Sequence, residues 1–192
     1  MPDAALHVGK RGTRYAVAVL VAIAITRVHA ADLWPDVVSG TIGYKPQVGI
    51  AGGVASWYLT SLAAPRDQTG LSIHLDGGVA YWRGYGRPTP NGSLWDFSGT
   101  PVFRWTFSQP EIPRLFAEAG IGIHLLTHTW INNDRQFGIA FQFGEDIGIG
   151  TAFGERNRYE VKLYVQHISN AHIAKENWGL TTPMVMFSMA LE

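Results

Sequence analysis

From Val37 to the end of the chain, apolar side chains recur at every second residue between short clusters rich in glycine, proline, serine and asparagine. A period of two marks β-strands, whose successive side chains point to opposite faces. Leu71, Ile73, Leu75, Gly77, Val79 and Tyr81 make one mostly apolar face, with Ser72, His74, Asp76, Gly78 and Ala80 opposite. The same alternation runs through Leu115, Ala117, Ala119, Ile121, Ile123 and Leu125, and through Phe137, Ile139, Phe141 and Phe143. Eight segments read this way, at 37–44, 48–59, 70–83, 94–107, 114–126, 136–152, 158–168 and 182–191.

Only 16% of the residues are charged, against about 25% in an ordinary soluble domain. No run reaches the roughly 18 consecutive apolar residues of a spanning helix. Strands are then the elements left to meet lipid, and these segments match or exceed the about 9 to 11 residues of a tilted transmembrane strand. Closure into a barrel satisfies every backbone polar group, which an open sheet in lipid cannot do. The expected fold is all-β, an eight-stranded antiparallel transmembrane β-barrel. Trp57, Tyr58, Tyr81, Trp82, Trp95, Trp105, Trp130 and Tyr159, near strand ends, are expected to form its interfacial girdles. A soluble lipid-binding barrel would invert the faces, with large apolar residues inside. The polar faces here are rich in Gly and Ala and poor in Lys and Glu, which suits a narrow lumen better than a solvated exterior.

Upstream, the apolar run 15–26 (YAVAVLVAIAIT) follows Lys10, Arg11 and Arg14 and precedes Val28-His29-Ala30. A basic start, a short apolar stretch and a small-residue site describe a secretory signal peptide. The expected organisation is a signal peptide over 1–30 and one outer-membrane barrel domain over 31–192. Cleavage after Ala30 removes Lys10, Arg11, Arg14, Arg27 and Asp3, leaving 11 basic against 14 acidic residues. Zero cysteines exclude disulfides and thiolate chemistry, and a formal charge of zero for the whole chain gives nucleic-acid binding no support. There is no G-x-S-x-G elbow, P-loop or H-E-x-x-H motif. With both termini periplasmic, the loops 45–47, 84–93, 127–135 and 169–181 face outward.

In the seventh segment Tyr159, Val161, Leu163 and Val165 define the apolar phase, and Glu160, Lys162, Tyr164 and Gln166 the polar one. His167 and Ser169 continue the apolar phase, so both are expected on the lipid-facing surface at the outer end. Polar groups there carry a free-energy cost that falls only near the interface. Residues i and i+2 share a face about 7 Å apart, and an imidazole can take a serine proton during attack on an ester carbonyl. By itself the pair also reads as interfacial residues meeting headgroups and water.

The run Gln166-His167-Ile168-Ser169-Asn170-Ala171, followed by Asn177-Trp178-Gly179-Leu180, resembles the PagL family of outer-membrane lipid A 3-O-deacylases, with its H-x-S-N-A and N-x-G signature. A looser likeness takes in Gly78-Val79-Ala80-Tyr81-Trp82-Arg83, Leu94-Trp95-Asp96-Phe97-Ser98 and the stretch from Glu118 to Leu126. The resemblance implies an eight-stranded barrel with its active site on the outer wall. Ser169 would be the nucleophile and His167 the general base. Asn177 and loop N–H groups would form the oxyanion hole, and Asn170 would hold the loop. The implied reaction is hydrolysis of the 3-hydroxyacyl ester at position 3 of lipid A, with no metal or organic cofactor. The expected partners are lipid A or lipopolysaccharide and outer-membrane lipids; nucleic acid is excluded and a homodimer is left open.

One position departs from the family pattern. Fourteen residues after the histidine the family has a glutamate, and here stands Thr181. Its hydroxyl can hydrogen-bond the imidazole but cannot stabilise imidazolium by charge. Glu176 in the same loop, Asp134 in the preceding outer loop, and a His-Ser dyad supported by Thr181 or water all remain open for that role. A second function follows from the same departure: a structural or binding barrel of this shape with impaired catalysis. His172 has no assigned role. His74, Asp76, Glu118 and His124 are expected to fill the lumen as a hydrogen-bonded network rather than a metal site. Lys45, Arg83, Arg87, Arg135 and Lys175 lie at the expected outer rim, open either to lipid A phosphates or to solvent.

Overall fold

The computed structural model describes residues 34–59, 63, 65–66, 68–86, 92–108, 114–133 and 135–191. The expected signal peptide, Arg87 and Asp134 lie outside the described residues. Alternation fixes the two faces of each strand, and pairing then arranges the strands into a ring. The strands are β1 (Val37–Lys45), β2 (Val48–Tyr58), β3 (Gly70–Gly84), β4 (Ser93–Thr106), β5 (Arg114–Leu126), β6 (Trp130–Asn132), β7 (Arg135–Gln136), β8 (Phe141–Phe153), β9 (Tyr159–Ser169) and β10 (Leu180–Ala190). The eight long ones form a closed antiparallel barrel in the order β1-β10-β9-β8-β5-β4-β3-β2. Its seam runs from Val37 opposite Ala190 to Gly43 opposite Met184. That seam removes the two free edges an open sheet would leave.

The sixth expected segment, 136–152, is corrected at its start. Arg135–Gln136 pairs with Trp130–Asn132 in a separate two-stranded sheet, and the barrel strand begins at Phe141. Gly138 lies between them at φ 76°, a left-handed conformation that interrupts extended backbone. The Gln142 amide donates to the carbonyls of Phe137 and Ile139, fixing the bend. Phe137 and Ile131 thereby tuck inward, and the Phe137 ring meets Trp82 edge-on at 6.0 Å between centroids. With Val48, Leu94, Leu126, Ile168 and Leu180 they form an apolar plug at the loop end of the barrel.

Toward the end that holds Val37 and Ala190, the lumen becomes ionic. Arg104 Nε donates to Glu118 (2.6 Å), and its two terminal nitrogens donate to the two oxygens of Glu160 (2.8 Å each). Lys162 donates to the other Glu118 oxygen at 2.6 Å, and Arg66 reaches Glu160 at 2.7 Å. Farther up, His124 Nδ1 is paired with the Asp96 carboxylate at 2.8 Å. Buried charges persist where each is paired and hydrogen-bonded. The expected lumenal positions of His74, Glu118 and His124 match this arrangement.

The outer surface carries the large apolar side chains, among them Phe97, Phe103, Ile121, Ile147, Ile149, Leu163 and Phe187, all exposed. This face assignment is opposite to that of a soluble lipid-binding barrel. Tyr81 and Trp95 sit together near the loop end, and Phe153, Tyr159 and Phe187 form an aromatic group near the other. Two residues leave the expected girdles. Trp82 is wholly buried in the plug, and Tyr58 lines the lumen beside His74, with rings stacked at 4.7 Å. Strand geometry requires this, because neighbours such as Trp57 and Tyr58, or Tyr81 and Trp82, take opposite faces.

Replacing Arg104 by Met would leave the Glu118 and Glu160 carboxylates short of a buried partner. The expected effect is a loss of about 3–5 kcal/mol in stability, read from urea unfolding of the detergent-solubilised barrel. An unchanged midpoint would show that Lys162 and Arg66 suffice without it.

Candidate active site

The side chain that orients the site is Ile168. It is buried in the apolar plug, so its neighbours on β9, His167 and Ser169, must project from the outer wall. Both are partly exposed at the loop end of the barrel. On one side β10 brings Thr181 directly opposite His167, and on the other β8 brings Glu145 opposite His167 and Phe143 opposite Ser169. His167 Nδ1 and Thr181 Oγ1 are 2.7 Å apart, a hydrogen bond that fixes the plane of the ring. Among the described residues no hydrogen bond joins Ser169 Oγ to the imidazole.

Beyond Ser169 the chain leaves the barrel through a tight turn. Ala171 and His172 both have positive φ, 51° and 62°, an uncommon conformation for residues with a Cβ. Side-chain hydrogen bonds hold this turn. Asn177 Oδ1 accepts from the Asn170 backbone N–H at 2.8 Å, and Asn170 Nδ2 donates to the carbonyls of Phe137 and Glu176, both at 2.8 Å. Asn170 is fully buried and ties the loop 170–179 to the bend before β8. Asn177 Nδ2 lies 3.4 Å from His172 Nδ1. Glu176 meets this network through its backbone carbonyl, and the imidazole partner is Thr181.

Two glycines make room for the site. At Gly179, with φ 54°, a Cβ would stand 3.2 Å from the Ile168 carbonyl and 3.3 Å from His167 Cε1. At Gly138 a Cβ would collide with the Glu176 carbonyl, which the loop needs at that place. Around the polar group the surface is apolar. Ile173 and Trp178 are exposed on the loop, and Phe143 packs edge-on to Phe141 at 5.1 Å.

His167, Ser169, Asn170, Asn177 and Thr181 thus fall within one patch, as their spacing suggests. Glu145, Phe143 and the Phe137 carbonyl also border this patch, beyond the residues that the sequence motif singles out. Glu145 shares the outward phase of Phe141, Phe143, Ile147 and Ile149, so an acidic residue on an apolar face was visible; its position opposite His167 depends on strand pairing.

A family model described as Lipid A 3-O-deacylase (PagL) matches residues 51–190. A curated relative, Lipid A deacylase PagL of Bordetella bronchiseptica (strain ATCC BAA-588 / NCTC 13252 / RB50), is 39% identical over 110 residues, 57% of this chain and 57% of that protein. The aligned part thus spans little more than half of the relative's length. The crystal structure of the outer membrane enzyme PagL superposes with a TM-score of 0.68 at 24% identity, covering 81% of this chain and 99% of that one.

Asn170→Ala removes both side-chain anchors of the loop. The expected outcome is faster tryptic cleavage after Lys175 in the folded, detergent-solubilised protein, followed by mass spectrometry of the fragments. Cleavage at the rate of the unaltered chain would mean that the loop is held by other contacts.

Proposed function

The chain belongs to the PagL family, and from that premise we propose that it is an outer-membrane serine esterase that hydrolyses the 3-O-linked 3-hydroxyacyl chain of lipid A. In this reading residues 1–30 are removed on export and 31–192 form the mature barrel. Ser169 is the nucleophile and His167 the general base. The observation that carries the reading is an imidazole fixed through Nδ1 on the apolar outer wall, with a serine hydroxyl two residues along the same face.

The chemistry follows from the ring's orientation. When Nδ1–H donates to Thr181 Oγ1, the lone pair of the imidazole is on Nε2, where a base for Ser169 is needed. A rotation of the serine side chain brings Oγ toward that nitrogen, and a hydrogen bond that is loose at rest can tighten when substrate is bound. As Oγ attacks the ester carbonyl, its proton moves to Nε2 and negative charge collects on the carbonyl oxygen. Asn177 and N–H groups of the loop after Ser169 stabilise that oxyanion. Collapse releases the lipid A alkoxide, which takes the proton back from His167. Water then cleaves the acyl-enzyme to give a 3-hydroxy fatty acid. No organic cofactor or metal enters these steps.

The surroundings suit a lipid ester. In lipid A the ester lies where acyl chains meet the polar headgroup, and here the polar site lies where an apolar wall meets the loop end. Phe143, Ile173 and Trp178 offer apolar surface to an acyl chain leaving the ester.

A second reading rests on Thr181. It brings no charge to the imidazole, and loss of the orienting acid of a triad costs up to about 10⁴-fold in turnover. A barrel with that loss would bind lipid without turning it over.

Purified protein in detergent is expected to release 3-hydroxy fatty acid from lipopolysaccharide, with lipid A losing one hydroxyacyl chain by mass spectrometry. Ser169→Ala and His167→Ala are each expected to lower the rate by at least about 10³-fold. Undiminished release by either variant would remove the role given to that residue. A wild-type chain as inactive as Ser169→Ala would favour the binding barrel.

A further inference from the structure

The outward phase of the eight barrel strands is almost free of ionisable acids and bases. Arg83, one residue before the end of β3, is there, and so are His167 and Glu145. Glu145 is the carboxylate on that surface, exposed between Phe143 and Ile147, and it is directly opposite the imidazole in the β8–β9 register. Among the described residues it makes no hydrogen bond or ion pair. A carboxylate on an apolar outer wall is unfavourable unless a partner or the interface compensates it. Direct cross-strand neighbours have Cβ atoms about 4.5–5.5 Å apart, so a change of rotamer brings a glutamate within reach of the facing ring.

We propose that Glu145 supplies the negative charge that Thr181 cannot, serving as a positioning residue that stabilises the His167 imidazolium during ester hydrolysis. The proposal rests on the reading of His167 as the general base. Labour is divided between the two flanking strands. From β10, Thr181 holds Nδ1 through an uncharged hydroxyl. From β8, Glu145 faces the ring with its charge.

At rest the carboxylate faces the ring across the β8–β9 ladder without an ion-pair contact. When the Ser169 proton arrives on Nε2 the ring becomes a cation in a poorly solvated place, and attraction to the facing carboxylate is then at its strongest. The proton stays on the ring until the leaving alkoxide takes it.

The test compares Glu145→Gln, Thr181→Glu, their double variant and Ser169→Ala in steady-state hydrolysis of lipopolysaccharide by the full barrel in detergent. Glu145→Gln keeps the shape and removes the charge. It is expected to lower kcat about 10- to 100-fold, with KM altered little, less than loss of a tautomer-setting acid because Thr181 still holds the ring. In the double variant a carboxylate returns on the other flank, so kcat is expected to recover most of that loss. Glu145→Gln is expected to slow the Thr181→Glu chain much less than it slows the wild type, whereas a purely structural role for Glu145 would slow both alike.

An unchanged kcat in Glu145→Gln, with Ser169→Ala inactive, would overturn the role of Glu145 and leave the serine–histidine reading in place. A double variant as slow as Glu145→Gln alone would also overturn it. Hydrolysis by Ser169→Ala at the wild-type rate, or none by the wild type, would remove the underlying reading itself, and the proposal with it.

Discussion

A strand edge in hydrocarbon has no water to satisfy its N–H and C=O groups, and each group left unpaired costs several kcal/mol by order of magnitude. The seam between β1 and β10 meets that requirement. Once the ring is closed, every barrel residue has one of two addresses, lumen or outer wall, and alternation assigns them without further choice. The apolar outer wall, the paired charges inside and the outward direction of His167 and Ser169 all follow from closure.

The lumen then has to fill itself. Near the termini it does so with charge: Arg104 spans Glu118 and Glu160, while Lys162 and Arg66 complete the neutralisation. Near the loops it does so with apolar volume, from Trp82, Ile131, Phe137 and Ile168. The second device matters for function. Ile168 belongs to the plug, and its burial holds the outward pair on either side of it. Phe137 belongs to the plug as well, and its carbonyl receives the Asn170 amide. Barrel filling and site geometry therefore share residues, which makes the proposed catalytic patch on the outside of a thin wall as firm as the inside allows.

Strand phase was legible because it depends only on the next residue but one. The outward positions of Leu71, Ile121, Leu163, His167 and Ser169 came directly from it. What phase cannot supply is the identity of the neighbour across the ladder. Glu145 stands beside His167 through the register of β8 on β9, set by many pairings at once, whereas loop proximity in sequence pointed to Glu176. The expected strand over 136–152 ran too far back because Phe137 and Ile139 keep the alternation of Phe141 and Phe143, while Gly138 turns the chain between them. Tyr58 and Trp82 were assigned to the girdles by residue type, although their own neighbours Trp57 and Tyr81 had already taken the outer face. The hydrogen bonds of Asn170 join segments far apart in sequence and had no local signature.

In the proposed reaction Ser169, activated by His167 on the outer wall, forms the covalent bond with the acyl group. Treating the folded barrel with a long-chain alkyl fluorophosphonate and locating the adduct by peptide mass spectrometry reads that bond. One phosphonylated residue is expected, Ser169, labelled rapidly in the wild type and far more slowly in His167→Ala. Absence of an adduct on Ser169, a label on another serine, or labelling indifferent to His167 would contradict it.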